Sequence, residues 1–152
     1  MKKIITSIFI FLIATSLWPY DFKIGDLEYR IVDSLQIPYS VEVCGADSMI
    51  TFADIPSSVI NAEDTFVVVG VASSTFKDCD SLRSVAIPGT IKYIEERAFH
   101  NTPVYKDKDN WHDGVLYVDD CIIEGKNISS IDYIAPQGTR LIADKAFEES
   151  PL

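Results

Sequence analysis

His100 and His112 are the two histidines of this chain, and Cys44, Cys79 and Cys121 its three cysteines. Any Cys–His nucleophile or zinc centre has to be assembled from these five. Cys121 with His112 is the nearest pair, but a catalytic couple needs hydrogen-bond reach and a third group that orients the imidazole. The sequence supplies proximity alone. Cys121 opens the β-like run Cys121-Ile122-Ile123, where a buried structural thiol is the simpler reading. His112 also closes an acidic stretch, Asp107-Lys108-Asp109-Asn110-Trp111-His112-Asp113-Gly114. A calcium loop of the EF-hand kind needs oxygen ligands at positions 1, 3 and 5 and a glycine at 6. Counted from Asp107, position 5 is Trp111 and position 6 is His112. The match fails, and the stretch reads as a solvated acidic loop. No glycine-rich phosphate loop, serine elbow or zinc spacing occurs. The expectation is therefore no catalytic residue, no metal ligand and no cofactor.

Charge narrows the partners. The chain opens Met1-Lys2-Lys3, followed by an apolar run from Ile4 to Ala14 and then Ala14-Thr15-Ser16. A basic start, a short apolar stretch and small residues are the three parts of a secretory signal peptide. A membrane span needs about 20 apolar residues, and Trp18-Pro19-Tyr20-Asp21 breaks this run first. Cleavage is expected between Ser16 and Tyr20, with residues 1–19 as the leader. No lipid-attachment cysteine follows, since the first cysteine is Cys44. Loss of Lys2 and Lys3 leaves 11 basic residues (13 minus 2) against 23 acidic ones, a net charge near −12. That disfavours nucleic acid and anionic membrane, which both require a positive surface. Three cysteines cannot all pair within one chain; small buried thiols are the simpler reading, and a Cys44–Cys79 bond stays open.

The elements that would position any site come from a repeat. Pro88 to Val104, PGTIKYIEERAFHNTPV, recurs 48 residues on as Pro136 to Leu152, PQGTRLIADKAFEESPL. Pro88 meets Pro136, Ile94 meets Ile142, Ala98-Phe99 meets Ala146-Phe147, and Pro103 meets Pro151. Upstream, Val71, Thr75 and Phe76 stand 23 residues before Ile94, Ala98 and Phe99. The unit is thus about 23 residues, and the offset of 48 holds roughly two of them. Ile55-Pro56-Ser57-Ser58-Val59 echoes Ile87-Pro88-Gly89-Thr90-Ile91, with an irregular stretch after it from Asn61 to Val67.

Within one unit, Leu82-x-x-Val85-x-Ile87 predicts a short strand with alternate residues inward. Pro88 ends it, because proline cannot donate to a ladder. Ile91, Ile94 and Ala98, at spacings of three and four, predict a helical or 3₁₀ segment with one buried face, and Phe99 closes the coil. The expected repeat core is Phe76, Leu82, Val85, Ile87, Ile91, Ile94, Ala98, Phe99, Ile142, Ala146 and Phe147. Between the good copies, the β-like runs Asp113 to Val118 and Cys121 to Glu124 flank Asp119-Asp120 and predict a hairpin that protrudes from the stack or pairs along its edge. Residues 21–45 alternate loosely and predict two or three strands covering the first coil.

The stretch Phe76 to Phe99, F-x-x-C-x-S-L-x-S-V-x-I-P-x-x-I-x-x-I-x-x-x-A-F, resembles the BspA-type leucine-rich-repeat family of secreted or surface proteins. Asn101-Thr102-Pro103-Val104-Tyr105 followed by Asp113 to Val118 is similar to that family's hairpin insert. The resemblance implies a β-rich leucine-rich-repeat solenoid of short strands with helical or 3₁₀ turns, an N-terminal β cap and an inserted hairpin. It divides the chain into a leader at 1–19, a β cap at 20–48 and repeats at 49–152, with the hairpin at about 105–126. It implies a bacterial source, in which the sequon Asn127-Ile128-Ser129 is incidental. It also implies display at the cell surface and binding to host or matrix proteins, without an active site. Tyr105, Trp111 and Tyr117 are the expected anchors, since amphipathic rings dominate interface hot spots; packing of the hairpin onto the coils is the equal alternative. A structural fragment that self-associates through its C-terminal edge, where Pro151-Leu152 would open another unit, is the rival. An unrecognised enzyme stands behind both.

Overall fold

The computed structural model describes residues 19–128, 132–148 and 150. The apolar run of the expected leader lies outside them, as do Pro151 and Leu152. The described chain is β-rich. Its strands are β1 (Phe22–Ile24), β2 (Leu27–Asp33), β3 (Tyr39–Ala46), β4 (Phe52–Asp54), β5 (Ser58–Asn61), β6 (Asp64–Val71), β7 (Ser84–Ala86), β8 (Tyr93–Ile94), β9 (Trp111–His112), β10 (Val115–Val118), β11 (Cys121–Gly125) and β12 (Leu141–Ile142). Helix is limited, among the described residues, to α1 (Pro103–Lys106) and a 3₁₀ turn at Lys108–Asn110.

The period-two alternation near the N-terminus builds a meander, β1-β2-β3, that pairs in parallel with β6, which in turn pairs antiparallel with β5. The two end strands, β1 and β5, come into contact, so the sheet nearly closes on itself. Phe22, Tyr29, Val41, Val43, Phe66 and Val68 fill the interior, with the Phe22 ring 5.1 Å from that of Phe66. β6 is the joint of the molecule. Its first half pairs with β5, and its last two residues pair in parallel with β8, as Gly70↔Tyr93 and Val71↔Ile94. Residues 20–48 therefore share one sheet with the first repeat strands.

The repeat register and the packing register coincide. Val71 pairs with Ile94, and Phe76 stacks on Phe99 with ring centroids 5.3 Å apart and planes 10° from parallel. Ile55 and Ile87 likewise meet, through the parallel pair β4–β7 and a bond from the Ile55 N–H to the Ala86 carbonyl at 3.1 Å. Three coils close at a corner whose φ is positive: Ser74 at 57°, Arg97 at 59° and Lys145 at 57°. None of these is glycine, and the left-handed region costs an L-residue about 1–2 kcal/mol. The corner holds because the next two residues are drawn inward: Thr75-Phe76, Ala98-Phe99 and Ala146-Phe147. A turn bond also closes each corner, from the Lys77, His100 and Glu148 N–H groups to the Ser74, Arg97 and Lys145 carbonyls.

The offset of 48 is explained by β11. It pairs antiparallel with β10 across Asp119-Asp120, where Asp119 takes φ 55°, a conformation aspartate tolerates better than most side chains. β11 then pairs in parallel with β12. The ladder repeats that of β6 with β8 bond for bond. The Lys92 N–H reaches the Val69 carbonyl at 2.8 Å, and Arg140 reaches Asp120 at 2.9 Å. Glu95 reaches Val71 at 2.8 Å, and Ala143 reaches Ile122 at 2.8 Å. β11 thus supplies the strand of the intervening coil. Where that coil lacks a phenylalanine it has Gly125; a Cβ there would lie 2.5 Å from Cδ1 of Phe147, so Phe147 occupies the space.

Phe76, Leu82, Val85, Ile87, Ile91, Ile94, Ala98, Phe99 and Ala146 are buried, and Phe147 is half-buried. Ile142 departs from the sequence expectation: it is 51% exposed. Ala143, one residue on, takes the inward place in the main core, and the next N–H, that of Asp144, bonds to the Ile94 carbonyl.

Candidate binding surface

β9 separates the aromatic residues into two groups because successive side chains leave opposite faces. Trp111 turns toward Tyr105, and His112 turns toward Tyr117, with ring centroids 5.8 Å apart in the second pair. Tyr105 is carried on α1, whose N-cap Thr102 accepts from the Tyr105 N–H at 3.2 Å and whose first position is Pro103. The Trp111 indole N–H donates to the Tyr105 carbonyl at 2.7 Å, and the two rings meet edge to face at 5.6 Å. Lys126 donates to the Tyr105 hydroxyl at 2.7 Å and lies 5.4 Å from the ring centroid. Glu124 pairs with the same ammonium. Burial raises the Tyr105 phenol, against the Lys126 hydrogen bond that lowers it. Burial would lower Lys126, but its hydrogen bonds to Glu124 and Tyr105 outweigh that and raise it above the usual lysine value. Tyr105 and Trp111 are thus brought together with their polar atoms already partnered.

Tyr117 is elsewhere. Its hydroxyl shares a hydrogen bond with that of Tyr133, whose phenol is raised first by burial and then by this bond. Both rings line a groove of about 790 Å³ beside β10, together with His112, Asp113, Asp119 and Pro136. Tyr133 was not singled out by sequence reasoning. It comes from a segment with no strand of its own, where Phe147, 5.3 Å from its ring, the Tyr117 hydroxyl and the small buried cluster around Val115 and Ile122 hold it.

The thiols are placed against reactivity. Cys121 faces the Asp120 carboxylate at 3.7 Å and the Arg140 guanidinium at 3.5 Å, and burial pushes its thiol up to about 12. Burial also raises Cys79 and Cys44, each to about 11. All three are free thiols, so the Cys44–Cys79 bond left open by the sequence is not formed. Among the described residues, no group of three or more His, Cys, Asp or Glu side chains could hold a metal.

A second polar feature escaped the sequence. Glu42 is 4% exposed although charged. It accepts from Arg30 Nε at 2.7 Å and from Arg30 Nη2, and from the Tyr93 hydroxyl at 2.8 Å. Arg30, Glu42, Gly70 and Tyr93 form one row across β2, β3, β6 and β8. The Tyr93 ring lies where a Cβ of Gly70 would project, which lets its hydroxyl span to Glu42. The row ties the N-terminal meander to the first repeat strand.

No helix among the described residues is long and apolar enough to cross a membrane. No curated protein matches the chain. Two solved structures are similar to it. One is a leucine-rich repeat protein from Bacteroides ovatus, 28% identical, covering 54% of this chain and 21% of that one, with a TM-score of 0.48. The other is a leucine-rich repeat protein from Bacteroides capillosus, 18% identical, covering 54% of this chain and 84% of that one, with a TM-score of 0.39. The chain spans about a fifth of the length of the Bacteroides ovatus protein. Residues 46–152 match the BspA type leucine rich repeat region in six copies, and the chain belongs to that family.

Proposed function

We propose that the chain is an exported, non-enzymatic repeat protein that binds another protein at the cell surface. In this reading residues 1–19 are a leader, 20–48 cap the stack, and 49–152 form a short solenoid with a hairpin at about 105–126. The observation that carries it is the groove at Tyr117 and Tyr133, an aromatic-walled depression open to solvent on a family scaffold suited to protein interaction. Tyr117 is the contact residue. Tyr105 and Trp111, bonded to each other and to Lys126, hold the hairpin and α1 in place.

A panel of extracellular matrix proteins, immobilised and exposed to residues 20–152, tests the reading. Saturable binding to a panel member that Tyr117→Ala weakens at least tenfold is expected. Binding that ignores Tyr117→Ala, or no binding to any panel member, counts against it. A second reading is self-association at β12, favoured by the exposed Ile142; light scattering over a concentration series reports it directly.

A further inference from the structure

We propose that the groove beside β10 holds an extended basic segment, bearing lysine or arginine, of the partner protein; this rests on the binding reading above and states what that partner presents. The groove's volume of about 790 Å³ lies within the range of sites that enclose small ligands or short side-chain runs, roughly 300–1,000 Å³. Its apolar surface comes from Tyr117, Tyr133, Ile128 and Pro136. Its walls carry Asp113, Asp119, Asp120 and Asp132, and neither lysine nor arginine lines it.

At Asp113 and Asp119 the charge is not cancelled. Asp120 is matched by Arg140 at 2.8 Å. Asp119 accepts from the Ile87 N–H at 2.9 Å, a bond that brings no counter-charge. Asp113 has no ion-pair partner among the described residues. Low-dielectric walls of one sign focus the field, and the net charge of −10 adds to it over distance. A lysine or arginine fits both features: its methylene stem lies on the tyrosine rings while its charge reaches the carboxylates. An acidic segment is repelled. An uncharged oligosaccharide would stack on the rings and hydrogen-bond the carboxylates, but it leaves their charge unmatched.

Fluorescence anisotropy on residues 20–152 tests this with three labelled probes: a Lys/Arg-Ser decamer, its Glu-Ser counterpart and a neutral oligosaccharide. The variant is Asp113→Asn with Asp119→Asn. Both positions have positive φ, 50° and 55°, where asparagine is well tolerated, and the amide introduced by Asp119→Asn keeps an acceptor for the Ile87 N–H. The control is Glu63→Gln with Asp78→Asn, exposed acids outside the groove. The basic decamer is expected to bind, to weaken with added salt, and to lose about tenfold in the groove variant, about threefold for each exposed ion pair. The control variant is expected to bind unchanged. Equal losses in both variants would overturn the proposal, as would Tyr117-dependent binding of the oligosaccharide or the acidic decamer in place of the basic one. If a matrix protein binds through Tyr117 while the basic decamer does not bind, this inference falls and the binding function stands.

Discussion

The ring of Phe99 lies on that of Phe76, 5.3 Å away and within 10° of parallel, and each residue follows a small side chain that follows a left-handed corner. The corner, the small residue and the plug recur as Lys145, Ala146 and Phe147. Strain at the corner is offset by burial of the plug, so the two should respond to mutation together.

Ser74 isolates the corner, since its side chain is exposed. Ser74→Gly removes the positive-φ cost and is expected to leave urea stability unchanged or raise it by up to about 1 kcal/mol. Ser74→Val, β-branched at φ 57°, is expected to lower it by more than about 1 kcal/mol. The reverse order of the two variants would refute a left-handed corner.

Gly125→Ala places a Cβ 2.5 Å from Cδ1 of Phe147 and 3.0 Å from Cδ1 of Ile128. A loss of about 1–3 kcal/mol is expected from overpacking, with a shift in the near-ultraviolet signal of the Tyr133–Phe147 pair. Gly89→Ala points into open space and, at an ordinary φ, is expected to cost nothing measurable. Urea melts of the two variants side by side make the comparison.

Tyr93→Phe removes one of the hydrogen bonds to the buried Glu42 carboxylate while keeping the ring over Gly70. A bond to a charged group contributes about 1.5–3 kcal/mol, so a loss in that range is expected in chemical denaturation. No loss would mean that the hydroxyl and carboxylate do not meet.

The thiols give a pH signature. Burial raises Cys79 to about 11 and Cys121 to about 12, from an ordinary 9. A raised folded-state value means the folded state holds the proton more tightly. The stability this represents is complete below pH 9 and is lost as pH climbs from 9 through about 11–12. Stability should therefore fall across that window, and Cys79→Ala with Cys121→Ala should flatten the fall. At about pH 8, iodoacetamide should label the half-buried Cys44 slowly and reach Cys79 and Cys121 only after denaturant is added.

The two clear coils were legible because proline, the Ala-Phe pair and the apolar spacings each encode a local event: strand end, corner and plug. The coil built on β11 was not, because it carries neither Ala-Phe nor the proline and closes on Gly125 instead. Ile142 was misjudged because the 48-residue match equates it with the buried Ile94, whereas in its coil Ala143 takes the inward place. Glu42 and Tyr133 were invisible for a different reason. Glu42 is burial-competent only through Arg30, 12 residues before it, and Tyr93, 51 residues after it. Tyr133 is held in the groove by Tyr117, 16 residues away, with no pattern linking them.

The most direct test of the stacked register is a double-mutant cycle on Phe76→Ala and Phe99→Ala, read by equilibrium urea unfolding of residues 20–152. Each single change is expected to cost about 3–5 kcal/mol. Because the rings touch, the double variant should cost less than the sum, with a coupling of about 1 kcal/mol or more. If either single variant is too unstable to fold, Phe→Leu at the same positions reads the same coupling at smaller cost. Additive losses within about 0.3 kcal/mol would contradict the stack and, with it, the identity of the repeat register with the packing register.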